Sequence, residues 1–197
     1  MGYGALGNTA LATLYIPANL VKVYDYVLQN CNNLVGISVD EGNGIYDSRE
    51  GCNGIIETAS NKLVAACKNT VIPETVTALG DYAIYKISGL TKLVLPEGLT
   101  TVGSHSIQDC PNLTSVVSHI QEPPTITSTN INGLASNCVL TVPRGKRDAY
   151  IAAGWTTAIF KGGIVEEEKV NVGDVNGDGS ITIADVTKLV NIILGKD

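Results

Sequence analysis

Close to the C-terminal end, the run Asp174-Val175-Asn176-Gly177-Asp178-Gly179-Ser180-Ile181-Thr182-Ile183-Ala184-Asp185 sets oxygen-bearing residues at alternate positions and a carboxylate at the twelfth. A hard divalent cation takes six to eight oxygens, and a loop supplies them from positions 1, 3, 5, 7, 9 and 12, with a glycine at 6 for the sharp turn. On that numbering Asp174, Asn176, Asp178 and Asp185 offer side chains, and Gly179 makes the turn. Ser180 offers its backbone carbonyl, and Thr182 binds directly or through water. Calcium is the ion this donor set expects. The plainer reading of the same residues is an acidic Gly-Asn-Asp turn leading into a capped helix.

No other constellation spells chemistry. His105 and His119 are the two histidines; joining His105 to Cys110 and an aspartate gives no nucleophile elbow. Asp40, Glu41 and Asp47 read as a solvated acidic loop. Gly2-Tyr3-Gly4-Ala5-Leu6-Gly7 imitates a dinucleotide fingerprint but lacks a preceding strand and a following βαβ unit. The chain is therefore expected not to be an enzyme. With a net charge of −6 and no basic group denser than Arg144, Lys146 and Arg147, it is not expected to bind nucleic acid. No apolar run reaches the roughly 18 residues of a membrane helix. The N-terminus lacks the basic start and apolar stretch of a signal peptide, so either the chain is cytoplasmic or a targeting segment has been removed. Met1 falls where a repeat is already under way, which points to a trimmed fragment.

The elements that would position the loop follow from periodicity. Val186, Leu189, Val190 and Ile193 recur at i, i+3, i+4 and i+7 and predict a helix directly after it. Ahead of it, Glu166-Glu167-Glu168-Lys169 opens a charged linker over 166–171, leaving 172–197 as a small loop-helix module. The stretch 1–165 is organised by a repeat. Ile72-Pro73-Glu74-Thr75-Val76 returns as Leu95-Pro96-Glu97-Gly98-Leu99, and at the same spacing Ala83-Ile84, Ile87 and Leu90 return as Ser106-Ile107, Cys110 and Leu113. An earlier copy holds Leu14, Ile16-Pro17, Leu20, Val23, Val27-Leu28, Cys31 and Leu34, separated from the next by one period plus an insertion.

Thr13–Ile16 and Lys92–Leu95 alternate with period two and read as short strands stopped by proline. A coil of this size cannot bury its apolar edge alone, so neighbouring coils must stack into a solenoid. The chain carries only one Phe and one Trp, consistent with thin aliphatic layers. Cys31, Cys110 and Cys67 occupy apolar slots and are expected as core filler, whereas Cys52 and Cys138 lie outside the regular units and are free or paired. Tyr150, Trp155 and Phe160 are expected to cover the last coil. Outward positions such as Glu74, Thr77, Lys92 and Glu97 are chemically bland.

These repeats resemble the BspA-like leucine-rich repeats of bacterial surface proteins. The resemblance rests on the Leu-x-x-Leu/Val-x-Ile-Pro pattern and on Cys31-Asn32-Asn33-Leu34 and Cys110-Pro111-Asn112-Leu113, and it extends to the insertion over 47–63 and the closing stretch Leu140–Lys146. Where that family places an aromatic after alanine, this chain has Leu28, Ile84 and Ile107. The C-terminal loop, with Asp185 where an EF-hand carries Glu, resembles a single dockerin repeat; a full dockerin has two.

Together these imply an α/β repeat solenoid over 1–165 with a closing cap, followed by a calcium-binding, EF-hand-like, dockerin-like module. The function implied is non-catalytic binding or adhesion at the cell surface or outside the cell, directed at a host or bacterial surface protein or glycan. The alternative is docking onto a cohesin-like partner in a polysaccharide-degrading complex.

Overall fold

The computed structural model describes residues 1–168, 173, 175–176 and 180–196, and the chain divides into two compact units, Met1–Glu166 and Glu167–Asp197. The first unit is a solenoid of stacked coils. Its longest all-parallel ladder among the described residues runs through four strands, Lys92–Leu95, Ser115–Ser118, Val139–Val142 and Gly163–Glu166. Leu93 pairs with Val116, Val116 with Leu140 and Leu140 with Ile164, each step matching the sequence repeat to within a single position, so one repeat is one coil. Because side chains alternate across a strand, Leu93, Leu95, Val116, Leu140 and Val142 enter the core while their neighbours face outward.

Two shorter ladders complete the coils. Ile84–Tyr85, Ile107–Gln108 and Ile131–Asn132 pair in parallel, as do Lys62–Ala66, Ala78–Leu79 and Thr101–Val102. Thr13–Ile16 pairs with Gly36–Val39 in the earliest coils. The same turn recurs at four corners, three of them directly after a strand: the carbonyls of Pro17, Pro73, Pro96 and Pro143 accept from the N–H three residues on, at 3.0–3.2 Å. Pro lacks the N–H that would prolong the ladder, and its carbonyl instead closes the corner.

The coils are strands and turns, and the sequence expectation of an α/β solenoid is corrected accordingly. Within the first unit the α-helix found among the described residues is the six-residue Arg147–Ala152. A coil of this length already spends itself on three short strands and tight turns, leaving no room for a helix on the return.

The insertion is an antiparallel meander, Tyr46–Asp47, Gly54–Glu57 and Lys62–Ala66, whose last strand continues in parallel into the third ladder. Ile55 and Ile56 point to opposite sides, as neighbours on a strand do, and both are fully buried; the ladder register shifts between them. Ile55 joins the core of the early coils, and Ile56 joins the larger core running to Ile164. The inserted meander is thus a double-faced spacer between two stretches of solenoid.

All five cysteines are buried and free, so Cys52 and Cys138 are unpaired thiols. Tyr150, Trp155 and Phe160 have no exposed surface and pack ring to ring, at 5.4 Å and 6.0 Å. Their polar atoms are satisfied. The Tyr150 hydroxyl donates to the Ile120 carbonyl at 2.9 Å and meets Ser118 Oγ at 2.6 Å, and Trp155 Nε1 donates to the Pro124 carbonyl at 2.9 Å. This cluster is followed by one further ladder strand, Gly163–Glu166.

In the second unit, a helix spans Ile183–Ile193, with Thr182 as its N-cap.

Candidate functional site

Of the six residues expected to hold calcium, Asp174 and Asp178 lie outside the described residues. The other four surround the helix start. Asp185 is buried, and its carboxylate accepts from the Asn176 N–H at 3.2 Å and from the Thr182 N–H at 2.6 Å. Thr182 Oγ1 in turn accepts from the Ala184 N–H at 3.2 Å, completing a reciprocal cap. The Thr182 N–H above all, with Asn176 and Val175 adding to it, holds the Asp185 carboxyl below its usual value against the opposing effect of burial. Ser180 and Thr182 are exposed. Loop position 12 therefore folds back over loop position 3, the closure that an oxygen cage requires, but the same contacts are what a helix N-terminus asks for on its own. Among the described residues no three His, Cys, Asp or Glu side chains converge as a metal site.

The nucleophile alternative disperses. Cys110 is buried, its thiol pushed up to about 11 by burial, and its sulfur contacts the Ile84 and Gln108 carbonyls. His105 is occupied elsewhere, with Nδ1 at 2.7 Å from Ser104 Oγ and its ring on Tyr82. Asp47 is tied to Arg49 and Thr58, and Asp40 to Tyr15 and the Gly42 N–H.

The solenoid builds a different site from residues whose apolar periodicity gives no hint of it. Two positions per coil take left-handed backbone. Tyr26, Tyr82 and His105 occupy the first and Asn30, Lys86 and Asp109 the second, all with φ between 43° and 57°. Asn, Asp and His tolerate that region, whereas a bulky residue there carries about 1–2 kcal/mol of strain. The tyrosines offset this by meeting one another across the coils. The Tyr82 ring lies 5.3 Å from Tyr26, 5.1 Å from Tyr85 and 4.8 Å from His105, the last nearly parallel at 4°. Tyr3 stacks on Tyr26 at 5.6 Å and reaches Tyr24 at 4.6 Å. Each such pair contributes about 0.5–1.5 kcal/mol. The result is a column of rigid aromatics, half-buried except for exposed Tyr3.

Beside the column opens a cleft of about 280 Å³ lined by Tyr24, Asp25, Tyr46, Glu57, Lys62 and Asp81, among others. The inserted meander supplies Glu57 and Lys62 from the facing ends of two strands, and they pair at 2.8 Å. Lys62 and Ser60 hold the Glu57 carboxyl down. Asp25 is pushed the other way, by burial first and then by the charge of Asp81, with Lys62 countering. Asp81 Oδ1 accepts the Ser104 N–H at 2.7 Å.

A signal for the column was present in the sequence. Tyr3 and Tyr26 stand one repeat period apart, as do Tyr82 and His105, the same spacing that the core leucines keep. Attention to the apolar slots alone misses it. Of the positions taken as bland, Glu74, Lys92 and Glu97 are indeed exposed, but Thr77 is half-buried and its carbonyl accepts the Thr100 N–H at 2.9 Å.

A family model described as the BspA type leucine rich repeat region matches residues 1–49 and 55–137, in six copies. No curated protein matches the sequence. Among solved structures, the chain is similar to a leucine-rich repeat protein from Eubacterium ventriosum, at 18% identity and a TM-score of 0.46, covering 80% of this chain and 49% of that one. It is also similar to a leucine rich cell surface protein from Faecalibacterium prausnitzii, at 17% identity and a TM-score of 0.49, covering 82% and 49%. The pneumococcal vaccine antigen PcpA matches at 13% identity with a TM-score of 0.35, covering 81% and 56%. The chain thus spans about half the length of each of these.

Proposed function

Because the chain belongs to the BspA-type leucine-rich-repeat family, we propose that it is a non-catalytic binding protein of the cell surface or extracellular space. It adheres to a host or bacterial surface protein or glycan through its coils. The observation that carries this reading is the aromatic column beside an open cleft. Tyrosine supplies large amphipathic contact area at low entropic cost, and here the rings are already held by one another. Tyr26 and Tyr82 sit on left-handed backbone that asparagine adopts more readily, and the ring contacts that offset this strain also pre-order the tyrosines for a partner. The test is a panel of immobilised matrix proteins, bacterial surface proteins and glycans probed with the whole chain. Saturable binding to at least one, weakened in Tyr26→Ala, supports the reading; no binding across the panel overturns it.

A second reading concerns the C-terminal module. Its helix exposes Ile183, Val186, Leu189, Val190 and Ile193, an apolar face suited to a protein partner such as a cohesin-like module. In this reading calcium is bound by Asp174, Asn176, Asp178, Asp185, the Ser180 carbonyl and Thr182, and it fixes the loop ahead of the helix. Calorimetry on the chelator-treated chain is expected to show about one saturable site, lost in Asp174→Ala. An absence of heat sets the calcium and docking readings aside together.

A further inference from the structure

The cleft beside the aromatic column has an uneven charge. Three carboxylates, Asp25, Glu57 and Asp81, share it with one ammonium, Lys62. The Lys62–Glu57 pair at 2.8 Å balances one of the three, and at Asp25 the charge of Asp81 adds to burial in raising the carboxyl, with Lys62 countering. Asp81 spends one oxygen on the Ser104 N–H, a neutral donor that orients the carboxylate without neutralising it. Three carboxylates against one ammonium leave the cleft net negative, a field that an incoming cation relieves. Phosphate, sulfate and uronate ligands are repelled by the same field, and the chain's net charge of −6 adds to that.

The rim restricts the class further. Tyr82 and His105 cover each other face to face, and Tyr3 covers Tyr26. One face of each of these four rings is therefore taken up within the column, which leaves a neutral sugar at most the other face on which to stack. Ring faces at its margin already hold cations from this chain: Lys22 Nζ sits 4.5 Å from the Tyr24 centroid and Lys86 Nζ 5.0 Å from that of Tyr85. A volume of about 280 Å³ lies below the range typical of drug-sized ligands and admits a single long side chain.

We propose that this cleft seats a lysine or arginine side chain of an extended basic segment of a partner protein, clamped by Asp25 and Asp81 while Tyr24, Tyr26 and Tyr82 grip the flanking residues. The inference deepens the binding function above and rests on it. It also assigns an orientation, with the partner lying along the column across successive coils rather than on the outer ladder of Lys92–Leu95.

The test is fluorescence anisotropy of the full chain with a short labelled peptide alternating arginine and glycine. A glutamate-for-arginine version and a neutral cello-oligosaccharide serve as comparators. The arginine peptide is expected to bind saturably and to weaken with added salt. Asp25→Asn and Asp81→Asn should each weaken it at least fivefold; Asp81→Asn keeps the oxygen that accepts Ser104. Glu41→Gln, which removes the same charge from an exposed loop, should change nothing, and thermal melts confirm that each variant is folded. Equal losses in Glu41→Gln and Asp25→Asn, no peptide binding, or preference for the neutral oligosaccharide overturns the inference. If panel binding persists unchanged in Asp25→Asn and Asp81→Asn, the adhesive function stands without this site; if the chain binds neither panel nor peptide, both fall.

Discussion

Four glycines separate the two reasons why a solenoid coil needs the residue. Gly154 has φ +92°, and a Cβ there would sit 2.1 Å from the Ile126 carbonyl oxygen. Gly162 has no such backbone demand, but a Cβ would meet the Asn137 and Cys138 backbone at 2.3–2.7 Å. Gly145 has φ +74° and open space, while Gly44 has neither constraint. Alanine at Gly145 should therefore cost only the left-handed penalty, about 1–2 kcal/mol. At Gly162 the overlap forces a backbone shift of the overpacking kind, about 1–3 kcal/mol. The same shift disturbs the Gly162 N–H bond to the Cys138 carbonyl, 2.8 Å, worth a further ~1 kcal/mol. Gly154→Ala combines strain, overlap and disruption of the 2.8 Å bond from the Ile126 N–H to the Ala153 carbonyl, about 3–6 kcal/mol in all. Gly44→Ala should be neutral or slightly stabilising through the unfolded chain. Thermal and urea unfolding followed by Trp155, the sole tryptophan and fully buried, should rank the variants Gly154, Gly162, Gly145, Gly44. At roughly 2–4 °C per kcal/mol, Gly154→Ala should melt about 10 °C early. Gly154→Ala and Gly162→Ala no worse than Gly145→Ala would refute the close approach of neighbouring coils.

Three further outcomes follow from the same contacts. Tyr150→Phe leaves the Ile120 carbonyl and Ser118 Oγ short of a buried partner and should cost about 1–3 kcal/mol in urea unfolding; a cost near zero would mean the hydroxyl bonds to water instead. Cys110 and Cys138, both raised to about 11 by burial, should resist iodoacetamide at neutral pH in the native chain and react once it is unfolded, as mass spectrometry of the alkylated sites would read. The Asp185 carboxyl is lowered by folding, so its stabilisation of the helix start is fully present above the unfolded value of about 3.9 and is lost as pH falls through the lower folded value. Exchange protection of the Thr182 amide should disappear over that acid window and stay flat above it.

The solenoid was legible because its causes are local and repeated. A proline directly after Thr13–Ile16, Lys92–Leu95 and Val139–Val142 marks the corner, and the spacing from Leu93 to Val116 is the coil itself. Cys31, Cys67 and Cys110 could be placed in the core from the slots they share with Ile87, Leu90 and Leu113. The insertion was visible as an interruption but not as a spacer, because burial of both Ile55 and Ile56 requires core on each face of the strand, which no local pattern announces. The cleft was illegible for a related reason. Asp25, Glu57 and Asp81 lie far apart in sequence, and only the stacking of coils on the meander brings them together. The tyrosine column fell between these cases, periodic like the core yet written in outward-facing residues.

Whether that column exists for binding is the central question. Asparagine suits the left-handed backbone at position 82 better than tyrosine does, so Tyr82→Asn gains backbone ease while losing ring contacts with Tyr26, Tyr85 and His105. The direct measurement is the affinity of Tyr82→Asn for the strongest target on the surface panel, alongside its melting temperature. A column built for contact predicts at least a tenfold loss of affinity with a melting temperature within a few degrees of the parent. Unchanged affinity at an unchanged melting temperature would contradict it.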